Sequence, residues 1–248
     1  MKHPIRGVLI PTIVLAILGG GAVLFYFGVR NKVIFINDWF LDDSNIRGVD
    51  VSSYQGAVDF NRLAEQGIRF AYIKATEGSS YQDSRFADNW VNATNTNVLS
   101  GAYHFFSFDS AGKTQAENFV NTIGDDLSGR LIPAVDIELY GDWQKTLPKK
   151  DDVVRELSDF LATIEDTYAT RPLIYARDDF YEMYLRDDFG GYPRWVRNVY
   201  YPTKLDNKDA WTIWQYNDRG LLDGYNGDEK YIDLDVIESE DGLEGIRY

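Results

Sequence analysis

Eight short runs dense in β-branched and aromatic residues recur between residues 47 and 237, and the first five are separated by stretches of helical periodicity. This alternation constrains the fold more than any other feature of the chain. A strand that returns parallel to its neighbour needs a long crossover, and a helix is the usual one. The spacing predicts strands over 47–52, 69–75, 98–106, 131–139, 172–176, 194–200, 210–216 and 231–237, with helices over 58–66, 84–95, 113–123, 151–168 and 179–185. The helix at 151–168 is the clearest, with acids in its first turn and an apolar stripe through Val153, Leu157, Phe160, Leu161 and Ile164. Beyond 185 the strands follow one another through Gly, Asp and Asn loops with no helix between them. An α/β fold follows: a parallel sheet closed into a barrel whose last three units have lost their helices.

Ahead of this body lies a second constraint. From Gly7 to Val29 the chain carries 23 residues without a charge, rich in Ile, Leu, Val and Phe, long enough for a helix to cross a hydrocarbon core of roughly 30 Å. A cleavable leader has a shorter apolar region and a small-residue cleavage site, so the run reads as an uncleaved anchor. The expected organisation is a cytoplasmic stub and transmembrane helix over 1–30, a juxtamembrane connector over 31–45 bearing Trp39 and Phe40, and the barrel over 46–248. Charge is divided between these parts. Lys2, Arg6, Arg30 and Lys32 against Asp38 give residues 1–40 a net of +3, so with a formal −14 on the whole chain the remainder carries −17. So acidic a body repels phosphates, which argues against a nucleic-acid partner, and it suits export with the short N-terminus left behind. The absence of cysteine excludes a thiol nucleophile and a disulfide framework.

Within the body, the stretch Leu131-Ile132-Pro133-Ala134-Val135-Asp136-Ile137-Glu138-Leu139 places two acids in an apolar run. On a strand, residues i and i+2 share a face, so Asp136 and Glu138 project together while Val135 and Ile137 face the other way. Two carboxyls in a partly desolvated site cannot both ionise at their ordinary pKa values, and one then keeps a proton that it can donate; an edge strand whose acids face water or pair with Lys or Arg would carry the same residues. Asp50 and Asp233 are expected at or near the C-terminal halves of the first and last strands. Barrel chemistry gathers where those strand ends meet, so four acids converge on one mouth.

The ordered set RGVDVSSYQG (47–56), YIKATEG (72–78), GAYHFF (101–106), VDIE (135–138), PLIYA (172–176), WTIWQY (211–216) and IDLDV (232–236) resembles glycoside hydrolase family 25, the Chalaropsis-type lysozymes. The resemblance covers about residues 46–238. It implies a flattened, TIM-like barrel of five β/α units followed by three strands. It also implies an N-acetylmuramidase that cleaves the β-1,4 bond between N-acetylmuramic acid and N-acetylglucosamine. By motif, Glu138 corresponds to the general acid and Asp136 to the group that orients the substrate's 2-acetamido group, while Asp50 and Asp233 shape the field and bind sugar. The chain departs from the family pattern at Arg197, which puts a charge near the mouth, and at Asp235, where Asn is frequent.

A glycosidase needs a protonated acid by the leaving oxygen and negative charge by an oxocarbenium-like transition state, which a same-face Asp/Glu pair supplies. The spacing along one strand leaves retaining and inverting outcomes both open. Aromatic faces for sugar stacking are offered by Tyr54, Tyr103, Phe105, Tyr175, Trp195, Trp214 and Tyr216, with core packing as the alternative for each. Gln215 lies among them, and Lys74, in an apolar strand, either contacts substrate or holds an acid ionised. His104 is one of two histidines in the chain, so a site of several imidazoles is excluded and a satisfied core histidine is expected. No cofactor is implied, and the late acidic loops around 218–228 leave an Asp/Glu-only calcium site open while lacking the ligand spacing of an EF-hand. The partners expected are peptidoglycan glycan strands and, through the N-terminal helix, a membrane. A glycan-binding module without turnover, or a hydrolase of another acetamido glycan, would share these features.

Overall fold

The computed structural model describes residues 5–203 and 211–248, with side chains from Thr12 onward. Helix α1 (Ile5–Arg30) includes the window Thr12–Arg30, of mean hydropathy 2.1 and with none of it buried. By length and composition it is a candidate membrane span. Lys2, which enters the charge balance above, lies outside the described residues.

The body is a barrel. Strands β1 (Ile46–Val51), β2 (Ile68–Glu77), β3 (Tyr81–Gln82), β4 (Leu99–Phe105), β5 (Ala134–Asp136), β6 (Leu173–Arg177), β7 (Arg194–Arg197), β8 (Ile213–Gly220) and β9 (Ile232–Ile237) form one sheet. Its order is β1-β9-β8-β7-β6-β5-β4-β2, closed by the pairing of β1 with β2, and β3 is a two-residue hairpin arm on β2. Helices α2 (Phe60–Glu65), α3 (Phe86–Thr94), α4 (Gly112–Ile123) and α5 (Lys150–Tyr168) fill the first crossovers. After β6 the crossover is the run Asp178–Phe180, Tyr181–Leu185, Arg186–Phe189, whose middle segment is wound as a π-helix.

One expectation is corrected by the topology. Seven of the barrel strands run parallel, but β9 is antiparallel to both β8 and β1. The loop before it holds no helix, and a short connection permits an antiparallel return. Asp233 is therefore the second residue of its strand rather than part of a C-terminal half, and it reaches the mouth because its strand runs backwards, directly opposite Asp50.

Boundaries moved for local reasons. Pro133 has no N–H to give, so the ladder expected over 131–139 shrinks to Ala134–Asp136. The side chain of Asp59 accepts from the Arg62 N–H at 3.1 Å and caps α2, so that helix begins at Phe60 rather than 58. Strand β7 stops at Arg197, and β8 spans Ile213–Gly220 where 210–216 was expected, with Ala210 outside the described residues.

Alternation along the strands divides the apolar residues into two cores. Val135 and Ile137 face outward and pack under α4 and α5 with Phe119, Leu157, Phe160 and Ile164. Phe70, Tyr72, Ile132, Ala134, Leu173, Trp195 and Ile213 fill the barrel interior. The two long helices cross at backbone contact, since a Cβ on Gly112 would stand 1.7 Å from the Glu156 carbonyl oxygen. The inner core plugs the barrel below the level of Asp136 and leaves its upper end open.

Candidate active site

The open end is a recessed cavity of about 520 Å³ lined by Asp50, Asp136, Glu138 and Asp233 together with Lys74, Tyr103, Phe105, Tyr175 and Trp195. Asp136 ends β5, and Glu138 lies two residues on, past the strand. The inward and outward alternation persists through Ile137, whose N–H donates to the Tyr175 carbonyl at 3.0 Å. The i and i+2 reading therefore holds although the strand itself is shorter.

Burial sets the electrostatics. It raises the carboxyl pKa of both members of the pair, with the Glu138 and Asp50 charges adding to the rise at Asp136. Opposing this, Arg197, Arg177 and Lys74 pull Glu138 down, and Lys74 and Arg197 act on Asp136 in the same sense. Oδ1 of Asp136 is buried with no hydrogen-bond partner. A buried carboxylate oxygen without a donor is costly, so the pair is best served by keeping a proton.

Beside it sits a second acid group. Asp50 Oδ2 accepts from Gln215 Nε2 at 2.7 Å, and Gln215 Oε1 accepts from the Tyr175 hydroxyl at 3.0 Å. Asp235 is fully buried; its Oδ1 accepts from Trp195 Nε1 at 2.8 Å, and its Oδ2 has no donor. Burial pushes Asp50 and Asp235 well above the usual carboxylate range, with the Asp235 charge adding to the rise at Asp50 and the Asp233 charge to that at Asp235. Burial raises Asp233 as well, helped by the Asp50 and Asp218 charges and opposed by Arg197 and Lys32.

The aromatic residues divide by depth. Trp195 is 2% exposed and forms the floor, with Tyr72 and Tyr175 rings 4.9 and 5.1 Å away. Tyr103 and Tyr175 are recessed walls, whereas Tyr54 is 70% exposed at the rim. Lys74 Nζ lies 4.8 Å from the centre of the Phe105 ring and 2.7 Å from Glu77 Oε2, so it is a paired cation at the wall. Gln215 reaches the site through Asp50. Trp214 and Tyr216 belong to the outer core, because they alternate with Gln215 along β8, and Trp214 Nε1 donates to the Asn198 carbonyl at 2.9 Å. Neither presents a face to the cavity.

His104 stands behind the wall and is fully buried. Gln115 Nε2 donates to the Ser107 and Ser110 carbonyls, so its Oε1 faces His104 Nε2 at 3.1 Å and also accepts the Ser107 N–H. An acceptor there requires the proton on Nε2, and Nδ1 then accepts from Thr76 Oγ1 at 2.7 Å. Burial lowers this imidazole to a pKa of about 3.

Sequence reasoning missed Arg177, Asp218, Gln144, Tyr231 and Glu229 on the cavity lining. Arg177 follows directly on PLIYA at the end of β6, a position facing the mouth in any parallel barrel, so strand-end geometry could have found it. Asp218 and Glu229 follow from the antiparallel β8/β9 turn, for which the sequence carries no comparable sign.

Comparison with known proteins bears on this geometry. The family model for glycosyl hydrolases family 25 matches residues 49–225. A solved family 25 glycosyl hydrolase from Bacillus anthracis superposes with a TM-score of 0.78 at 42% identity, covering 84% of this chain and 96% of its own. The bacterial lysozyme of Streptomyces coelicolor superposes with a TM-score of 0.72 at 29% identity, over 83% of this chain and 98% of that one. In sequence, lysozyme M1 of Streptomyces globisporus is 33% identical over 75% of this chain and 67% of its own length.

Proposed function

The chain belongs to glycosyl hydrolase family 25, and from that premise we propose that it is a peptidoglycan hydrolase of the N-acetylmuramidase type, held at a membrane by its N-terminal helix with the barrel on the extracytoplasmic side. It is a glycoside hydrolase with a closed eight-strand barrel. The observation that carries the finer reading is the convergence of Asp136 and Glu138, both raised by burial, with Lys74, Arg177 and Arg197 in one recessed cavity.

In this reading Glu138 delivers the shared proton to the glycosidic oxygen as the bond to the anomeric carbon of N-acetylmuramic acid breaks. The 2-acetamido oxygen of the same sugar attacks that carbon, and Asp136 accepts a hydrogen bond from the acetamido N–H and balances the positive charge that develops. Water then opens the ring intermediate and returns its proton to Glu138, which leaves the β configuration at the new reducing end. Asp50 and Asp233 hold the opposite wall and set its field. The chain is organised as an anchor over 1–30, a connector over 31–45 and the catalytic barrel over 46–248.

The test is digestion of purified peptidoglycan beside a Glu138→Gln control, with the new reducing ends identified by mass spectrometry. N-acetylmuramic acid released by the wild type and absent from the control is expected. N-acetylglucosamine at the new end, or equal release by the control, overturns the assignment; wall binding without release identifies a binding module. An α-configured first product, seen by NMR, would rule out substrate assistance.

A further inference from the structure

The segment that follows α1 does not hang free of the barrel. Asn37, 1% exposed, donates through Nδ2 to the carbonyls of Asn198 and Tyr216, both at 2.8 Å. Arg219 reaches the Asn31 carbonyl at 3.3 Å. These contacts lay the segment across the mouth ends of β7 and β8, beside Arg197 and Asp218.

Lys32 is the residue through which this segment touches the cavity wall. Its ammonium pairs with Asp218 Oδ2, the same oxygen that accepts from Arg197 Nη2 at 2.8 Å, and it lies 5.5 Å from the centre of the Tyr200 ring. All three side chains of the triad are largely withdrawn from water, with 18% of Lys32, 12% of Asp218 and 24% of Arg197 exposed. Asp218 and Arg197 line the cavity.

A second, independent observation concerns the backbone. Lys32 has φ of +55°, one of two non-glycine residues with positive φ among those described. It occupies the left-handed turn that closes α1, where the Lys32 N–H donates to the Val29 carbonyl and the Val33 N–H to that of Gly28. Glycine is the residue favoured at such a turn, and any other side chain there costs conformational energy. From that turn the lysine side chain reaches Asp218. The shared family region begins at residue 49, so the lysine lies outside it.

We propose that Lys32 is a positioning residue of the active site: by sharing Asp218 with Arg197 it fixes where that guanidinium stands at the mouth, and it makes the segment after the helix part of the catalytic rim. The claim rests on the hydrolase reading above. With Lys32 present the triad carries one net positive charge facing Asp233 and the Asp136/Glu138 pair. Without it, Asp218 neutralises Arg197 alone, and the rim turns more negative by one unit. The groups that face Asp233 are Asp50 from β1, Tyr103 from β4, Asp218 from β8, Arg197 from β7, Asp235 on its own strand and Lys32 itself. Those facing Glu138 are Arg197, Arg177, Lys74, Tyr175, Asp179 and Asp136.

The experiment uses the full chain in detergent micelles, with soluble peptidoglycan fragments as substrate. Wild type, Lys32→Gly and Lys32→Arg are compared by the pH profile of kcat/KM and by thermal unfolding. Glycine suits the left-handed turn, so Lys32→Gly is expected to unfold at or above the wild-type temperature. Its basic limb is expected to move upward by roughly half a pH unit, the order expected from one unit charge across a partly solvated rim, while Lys32→Arg stays on the wild-type profile. A Lys32→Gly profile that superimposes on the wild type overturns the proposal, as does a shift of equal size in Lys32→Arg. Should the wild type release nothing, the hydrolase reading fails, and the ¹³C titration of the Asp233 carboxyl decides the triad separately. An upward move in Lys32→Gly supports the coupling, and no move removes it.

Discussion

Replacing His104 by Gln gives a quantitative check on the buried network behind the cavity wall. The folded imidazole, lowered to about 3 by burial, is neutral across the working range, whereas the unfolded one titrates at its ordinary 6.5. Above pH 6.5 both states are neutral and the group has no pH-dependent effect. As pH falls below 6.5 only the unfolded chain gains the proton, so stability is lost progressively until the folded group titrates near 3. Linkage gives a loss of about 2 kcal/mol at pH 5, about 3 at pH 4 and about 5 in the limit. Raised carboxyls such as Asp50, Asp136 and Asp233 act in the opposite sense, adding stability as pH falls through their folded values, but they are common to both proteins and cancel in the difference. Urea unfolding of a chain beginning at Asn31, followed by tryptophan fluorescence at pH 7, 5 and 4, measures that difference directly. The variant starts lower at pH 7, because it loses the Thr76 bond and the stacking of His104 on Phe160 at 4.9 Å. The two stability curves are expected to converge toward acid by the amounts given. Curves that stay parallel within about 0.5 kcal/mol from pH 7 to 4 would show that His104 takes its proton inside the fold and would refute the neutral, Nε2-protonated assignment.

Other perturbations separate stability from chemistry. Asp136→Asn removes a buried carboxylate whose Oδ1 lacks a partner, so it is expected to stabilise the fold by about 0.5–2 kcal/mol at pH 7, raising Tm by roughly 1–8 °C, while abolishing turnover. A lower Tm would contradict the electrostatic account. Glu138→Gln is expected to reduce kcat by about 10²–10⁴ with Tm nearly unchanged, read from reducing-end release. Gly112→Ala forces α4 and α5 apart at a backbone contact, and a cost of about 3 kcal/mol would lower Tm by roughly 6–12 °C in a thermal melt. The full chain is expected to float with phospholipid vesicles in a density gradient and the chain beginning at Asn31 to remain below; flotation of both would relocate membrane affinity to the barrel.

Much of the site was legible because it depends on short-range pattern. The alternation through Ala134-Val135-Asp136-Ile137-Glu138 assigns the acids to one face wherever the strand happens to end, and the structure preserves it even though Pro133 shortens the ladder. The same period of two misplaced Trp214 and Tyr216, since Gln215 takes the inward position between them and nothing in the local sequence says which alternate set is inward.

The sequence by itself determined the apolar N-terminal helix, the β/α rhythm and the acid pair, all of which arise from local periodicity and side-chain chemistry. The tertiary structure alone decided the reversal of β9 that brings Asp233 opposite Asp50, the burial of Asp235 against Trp195, and the seating of Lys32 on Asp218. Each of these joins residues 40 to 186 positions apart, and contacts over such separations are set by how the barrel closes, for which local preference supplies no information.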